Sequence, residues 1–441
     1  MLIQENLEAN CKLALEYLAG KVDQAEISVD SVAEEEISIR QQTIDKLITS
    51  NSRKINITVY LNNCQAIVST TTADFASIKS ACDKACEIVK ITAPDKHFGL
   101  IEKDYFYCQK KQSFLANYDW SLSGYEKIDL AMQAEQIILA DSKIKLCESV
   151  DVSSWQGCVW QGNTEGLDVR FLSSAYSMSS VCIADDRKKL VRDFDYTIAR
   201  DPANLLAVNE LAASVVQKTV ARIGAKVLST RKVPVLFSAE MTRVLLGYFT
   251  KAINGSRVYK QTSFLADCLH KKIFPDFLSI DQSPHLDSTL GSLTFDADGA
   301  ATSNRSFVKQ GVLNSFVLGG YAARRLGMTT TANSDGIQTL LVNDSRNIGF
   351  EDLLSEMGQG LYVIEMMGSG VDLSNGDFSQ GVFGFWVEDG KIAYPVHQLT
   401  IAGNLKDMFN GCVGIANNID KKGTIQVGSM LVDSMVIAGS S

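Results

Sequence analysis

Apolar residues recur along this chain in two rhythms. Leu7, Cys11, Ala14, Leu15 and Leu18 fall three or four apart, which marks one face of a helix that Gly20 ends. A two-residue alternation follows. Ile37 and Ile39 precede Arg40, and Ile55, Ile57, Val59 and Leu61 occupy every second position. Alternation of this kind builds strands with one buried and one wet face. The helical rhythm returns from Asp74, a residue suited to an N-cap, to Lys90, with Phe75, Ile78, Cys82, Ala85 and Val89 turned inward. A loop around Pro94 to Gly99 closes this helix, strand and helix layer.

A further amphipathic helix is predicted from Tyr125 to Ala140. Strands are predicted at residues 145–152, 158–161 and 167–171, with Asn163, Thr164, Glu165 and Gly166 as the turn between the last two. Another helix runs from Ala203 to Ala221 and ends near Gly224. Beyond Val233, short β-type runs separated by Gly, Asn and Asp take over, as in residues 361–367, 382–387 and 392–396. The pattern predicts an α+β protein: an N-terminal α/β, sandwich-like domain over 1–225, divisible near 94–124, then a β-rich C-terminal domain over 226–441.

Composition narrows the function classes. Of 441 residues, 46% are hydrophobic and 21% charged, the balance of a packed globular chain. The formal charge is −9, and the densest cationic group is only Arg187, Lys188 and Lys189, so an acidic surface argues against nucleic acid. No apolar stretch approaches the roughly 20 residues that cross a bilayer. The first 20 residues lack a secretory pattern, so a cytoplasmic location is expected. Ten cysteines lie at irregular spacings, mostly in apolar or periodic segments, where a thiol acts as a small hydrophobe. Cys82 and Cys86 share a helical face, but no second pair or His follows to complete a metal site.

Candidate chemistry is sparse. The four histidines, His97, His270, His285 and His397, are too far apart for two imidazoles on one helical turn. No GxSxG elbow and no GxxxxGK[ST] loop occurs. Two segments stand out. Val233 to Gly247 is an apolar strand running into a helix. Gly358 to Gly390 is dense in glycine interleaved with Tyr362, Phe378, Phe383, Phe385 and Trp386. It reads either as a set of tight β-turns or as a groove where a peptide backbone pairs with an exposed strand.

Several ordered blocks resemble the TldD/PmbA family: VYKQTSFL at 258–265, SPHL at 283–286, YAARRLG at 321–327, GVDLSNGDFSQGVFGFWVEDGKI at 370–392 and YPV at 394–396. The residues from Thr400 to Met408 and the ending Ile437, Ala438 and Gly439 continue the likeness, which covers essentially the whole chain. The resemblance implies a bacterial-type cytoplasmic peptidase system of two related subunits. One carries HExxxH on a helix and a C-terminal Cys that together hold zinc; the PmbA branch, also called TldE, lacks that set. Here Ala239 and Val244 stand in the two His positions and only the acid, Glu240, remains. The Cys position falls near Val427, Gly428 and Ser429, and nearby Cys412 does not replace it.

The resemblance therefore implies the non-metal subunit of a zinc metallopeptidase complex. This chain would carry no cofactor, zinc would sit in a TldD-type zinc-bearing paralogue within a heterodimer, and the substrates would be peptides or unfolded segments. Tyr362, Phe385 and Trp386 are the candidates for lining a substrate groove, and Glu240 is expected to be structural, at the positive end of a helix dipole. Two alternatives stay open: a stand-alone homodimeric peptide-binding protein without catalysis, and a hydrolase using Cys412 or another thiol.

Overall fold

A computed structural model describes residues 5–108, 114–186 and 189–439. Arg187 and Lys188 of the densest cationic group lie outside those residues. The architecture is α+β.

The N-terminal half is built on one six-stranded antiparallel sheet, ordered β3-β2-β1-β4-β5-β6. Its strands are β1 (Gln24–Arg40), β2 (Thr43–Leu61), β3 (Cys64–Thr70), β4 (Ile144–Asn163), β5 (Asp168–Asp186) and β6 (Lys189–Ala199). Helices α1 (Glu5–Leu18), α2 (Phe75–Ile88), α3 (Gly124–Leu139) and α4 (Val208–Ala221) cover it. The expected stripe of α1, Leu7 to Leu18, is buried against Ile27, Val29, Ile55 and Ile57. Asp74 caps α2 by accepting the Ser77 amide, as its position before the apolar run predicts. Helices α3 and α4 pack on Ile37, Ile39, Val150 and Val152. Ile27, Val29, Ile37 and Ile39 are all odd positions of β1, and its register with β4 never slips. Both helix pairs therefore lie on one face of the sheet, at its two ends.

Two expectations need correction. β4 and β5 are single strands of 20 and 19 residues, not short separate runs. The middle of β4 carries Ser153, Ser154 and Gln156, and that of β5 Ser173, Ser174 and Ser177, where apolar alternation lapses although the ladder continues. The turn at 163–166 between them is where the sequence puts it. The helix expected from Ala203 starts at Val208, because Pro202–Asn204 forms a separate 3₁₀ turn.

The C-terminal half holds two sheets. The larger comprises β7 (Arg231–Phe237), β12 (Gly360–Met367), β13 (Val371–Asp372), β14 (Asp377–Glu388), β15 (Lys391–Asn404), β16 (Cys412–Ile415) and β18 (Met430–Gly439). β14 pairs with both β15 and β12, so this sheet closes on itself. Closure brings the backbones together at Gly384, where a Cβ would sit 2.1 Å from the Tyr362 carbonyl. The smaller sheet, ordered β10-β9-β8-β11-β17, comprises β8 (Leu278–Gln282), β9 (Arg305–Lys309), β10 (Val312–Leu313), β11 (Leu340–Asp344) and β17 (Ile425–Gln426). Helix α5 (Ala239–Ala252) continues from β7, and short helices α6 (Gly255–Tyr259), α7 (Gly320–Leu326), α8 (Phe350–Met357) and α9 (Leu405–Asn410) fill the corners. One large apolar core joins α5 to both sheets.

Candidate functional site

β7 lies between β12, which runs parallel to it, and β18. Where it ends, Ser238 turns the chain: its Oγ accepts the Met241 amide at 3.3 Å and caps α5. Ala239 and Glu240 thus occupy the first turn of α5, where a carboxylate meets the positive end of the helix dipole. Ala239 is half-buried and Val244 exposed.

Glu240 is not free. Lys422, from a loop 182 positions away, donates its ammonium to Glu240 Oε1. The same Nζ lies 3.8 Å from Asp195 on β6 and 4.5 Å from the Tyr196 ring centroid. Burial works against the Lys422 charge, but the bond to Glu240 and the nearby charges of Glu240, Asp195 and Asp420 outweigh it and raise its pKa. Arg243, on α5, pairs with Asp420 at 3.0 Å and donates to the Tyr196 hydroxyl at 2.7 Å. Asp195 also receives Lys218 at 2.7 Å and the Ser214 hydroxyl at 2.5 Å. Those bonds overcome its burial and hold its carboxyl below the ordinary aspartate range. A line of charged contacts therefore ties β6 and α4 to α5 and the loop bearing Asp420 and Lys422.

Further along this line, Arg222 pairs with Asp193 at 2.6 Å and with Glu365 at 2.7 Å, while stacking over Phe383 at 4.1 Å. Tyr362 and Phe385 face each other across β12 and β14 with ring centroids 6.4 Å apart, and Phe350 meets Tyr362 edge to face at 5.3 Å. Burial first, then the Glu240 charge, pushes the Tyr362 phenol up to about 12. The fold so brings Glu240, Tyr362 and Phe385 into one neighbourhood. Trp386 is not part of it. It is 2% exposed inside the main core. Alternation along β14 turns residue 386 away from the face that carries Phe385, so Trp386 is a core residue and not a groove wall.

The residues that the family likeness aligns with zinc ligands do not fit a metal. Ala239 and Val244 offer no lone pair. A Cβ built on Gly428 would lie 1.7 Å from the Ala416 carbonyl oxygen, so no side chain fits there without moving the backbone. Ser429 is fully buried and receives Asn418 Nδ2 at 3.0 Å. Cys412 is buried too, and burial pushes its thiol up to about 12, far from the thiolate a nucleophile needs. Among the described residues, no group of three or more His, Cys, Asp or Glu could hold a metal ion. His285, stacked on Phe114 and hydrogen-bonded to Thr302 Oγ1 at 2.9 Å, is a local packing residue.

Lys422, Asp195, Tyr196 and Arg243 were not legible as site residues. They sit in unrelated segments without a shared motif, and only the fold joins them.

The chain matches three domain descriptions: PmbA/TldA metallopeptidase domain 1 over residues 25–89, the central domain over 117–223 and the C-terminal domain over 230–439. It is 37% identical over 434 residues to metalloprotease PmbA of Escherichia coli O157:H7, covering 98% of this chain and 96% of that one. Haemophilus influenzae has a metalloprotease PmbA homolog 35% identical over 439 residues, covering 99% and 97%. The same organism has a metalloprotease TldD homolog 25% identical over 207 residues, covering 44% and 42%. Among solved structures, a candidate DNA gyrase modulator of Bacteroides thetaiotaomicron superposes with a TM-score of 0.93 at 22% identity, covering 100% of both chains. TldE of Thermococcus kodakarensis superposes with 0.84 at 20% identity, covering 98% of this chain and 100% of that one. At those identities the superpositions speak for the fold alone.

Proposed function

Because the chain belongs to the PmbA/TldA metallopeptidase family, we propose that it is the metal-free subunit of a two-subunit zinc peptidase. Its partner would be a TldD-type zinc-bearing paralogue, and its substrates peptides and unfolded segments. The carrying observation is the misfit at α5. A catalytic zinc needs three protein ligands and an open position. Here two ligand positions are aliphatic, the third falls among Val427, Gly428 and Ser429, where no thiol stands, and the remaining acid holds an internal ammonium. A carboxylate so engaged, with no metal-bound water beside it, has no proton to take. This chain's contribution to a shared cleft would be binding: Tyr362 and Phe385 supply apolar surface, and an adjacent strand edge pairs with substrate backbone. Ten unpaired cysteines support a reducing compartment, and so the cytoplasm.

A second reading, the stand-alone homodimeric peptide-binding protein, has one observation in its favour. β3 pairs with β2 only from Ile55 to Leu61, which leaves residues 43–54 as an edge with Ile44, Leu47 and Ile48 exposed. Titration with a TldD-type partner separates the two. The chain alone is expected to cleave no peptide and hold no stoichiometric zinc. The mixture should cleave peptides and melt at a higher temperature, since binding to the folded state stabilises it by mass action. Chelator-insensitive cleavage by the chain alone would overturn the proposal, and no change in either readout on mixing would favour the homodimer.

A further inference from the structure

The ammonium of Lys422 sits in a small cage. The carboxylates of that cage come from opposite halves of the chain: Glu240, in the first turn of α5, accepts directly, and Asp195 of β6 stands 3.8 Å away. The Tyr196 ring forms another wall, its centroid 4.5 Å from Nζ and within cation–π range. Each wall is held from behind. Asp195 receives Lys218 at 2.7 Å and the Tyr196 amide at 2.9 Å. Arg243 holds the Tyr196 hydroxyl at 2.7 Å, and Ser238 caps the turn that carries Glu240. Walls braced in this way keep their geometry when the group between them changes.

The occupant is held less firmly than the cage. Lys422 hangs on a turn in which its amide donates to Asp420 Oδ1 at 2.9 Å, and it enters on a flexible four-carbon stem. Its side chain is 25% exposed and that of Glu240 27%, so solvent reaches the cage. The stem can swing out without moving the backbone, and it regains rotamer freedom when it does. Charge is balanced only while an ammonium is present. Lys422, Arg243 and Lys218 together match Glu240, Asp195 and Asp420, so departure of the lysine leaves the group negative. Apolar surface adjoins the cage as well: Phe194 stacks on Tyr196 at 6.4 Å and is 48% exposed.

We propose that this cage is a binding site for the primary ammonium at the amino end of a peptide, with Lys422 as its built-in competitor. The incoming ammonium would donate to Glu240 and Asp195 and rest on the Tyr196 ring, and the first side chain would lie against Phe194. The choice of a peptide rests on the reading of this chain as the binding subunit; the cage itself does not. A flexible tether presents its group at an effective concentration on the order of millimolar. The resident lysine therefore excludes amines that make no other contact, and yields to a peptide that gains surface elsewhere in the cleft. No covalent bond is made or broken. The cage acts on affinity and leaves the rate at saturating substrate unchanged.

The test uses the full chain alone. Lys422→Ala removes from the cage the equivalent of n-propylammonium. The variant should melt several degrees lower, and added n-propylammonium should restore its melting temperature saturably. Equal concentrations of 1-propanol or potassium chloride should not. Lys422→Met, which leaves a neutral stem in the cage, should not be rescued. In titration calorimetry, trialanine amide should bind Lys422→Ala roughly tenfold more tightly than the parent chain, because the competitor is gone. N-acetyl-trialanine amide, which lacks the ammonium, should show no such gain. Failure of about 100 mM n-propylammonium to restore stability, or folding itself where the variant needs it, would overturn the cage. Rescue without a gain in trialanine amide affinity would overturn the peptide assignment, and an equal gain for the acetylated peptide would overturn its ammonium basis. Since no partner subunit enters, failure here leaves the two-subunit reading to be decided by the mixing experiment.

Discussion

At the scale of single residues, Glu240 shows how position alone leaves a role open. It starts a helix, follows a strand and has an aromatic neighbour, all compatible with an acid that works in catalysis. Its partner decides the matter: the Lys422 ammonium takes one of its oxygens and is itself held by Asp195 and Tyr196. Glu240→Gln keeps an oxygen for that lysine and removes the charge. In a reconstituted complex its rate should stay within a few-fold of the parent, because a true base contributes about 10²-fold or more. Stability should fall by no more than about 1 kcal/mol, as for other half-exposed ion pairs. Peptidase kinetics together with a urea melt check both. A hundredfold loss of rate with unchanged folding would give Glu240 a chemical role.

At the scale of elements, β14 separates two kinds of aromatic residue by a single step in register. Trp386 points into the core at 2% exposure, and Phe385 points to the face shared with Tyr362. Trp386→Ala should cost about 3–5 kcal/mol through lost burial and the cavity left behind. Phe385→Ala, at a half-buried position, should cost much less stability and mainly weaken peptide binding by the assembled peptidase. Denaturant midpoints and KM for a reporter peptide distinguish the two. A KM effect from Trp386→Ala without loss of stability would contradict its core placement. Such alternation is also why the segment 358–390 could be read as turns or as groove: glycine serves the close approach at Gly384, while the aromatics divide between core and surface.

At the scale of the whole molecule, the two halves meet through carboxylates that titrate in opposite senses. Gln161 of β4 donates to Glu26 of β1 at 2.9 Å and to the Ala297 carbonyl at 3.0 Å. Burial pushes Glu26 up to about 8 and Asp296 up to about 7, with Asp298 adding repulsion to both. Asp298 is itself raised by burial, and Asp335 and Tyr60 stand nearby. Arg324, whose charge acts on Asp298, donates to the backbone carbonyls of His97 and Gly99, both at 2.8 Å. In the unfolded chain these carboxyls release protons near 4. The folded state therefore holds more protons between about pH 4 and pH 8, and stability must fall as pH rises through that window. Asp195 acts oppositely: its lowered pKa gives stability that is present above the ordinary aspartate value and lost only in stronger acid. The melting temperature should decline from pH 5 to pH 8.5, and Glu26→Gln combined with Asp296→Asn should flatten that decline. A parent protein whose melting temperature is level across the range would show that the junction holds no such protons.

The sequence by itself determined the elements whose faces are set by local period: the buried stripe of α1, the Asp74 cap, the turn at 163–166 and the passage from β7 into α5. It also determined that Ala239 and Val244 carry no metal-binding atoms, since ligand chemistry is a property of side-chain identity. Tertiary structure alone decided the rest. It extended β4 and β5 through polar middles, because the ladder is held by backbone bonds that need no apolar alternation. It turned Trp386 inward and Phe385 outward, because pairing fixes which parity of a strand faces the core. It closed the Gly428 position with the Ala416 carbonyl and brought Lys422 to Glu240 across 182 residues, contacts that no local period encodes. The polar rows around Ala33 and Glu35 belong to both levels: their letters stand in the sequence, but only the parting of two helix pairs over one sheet makes them a cavity.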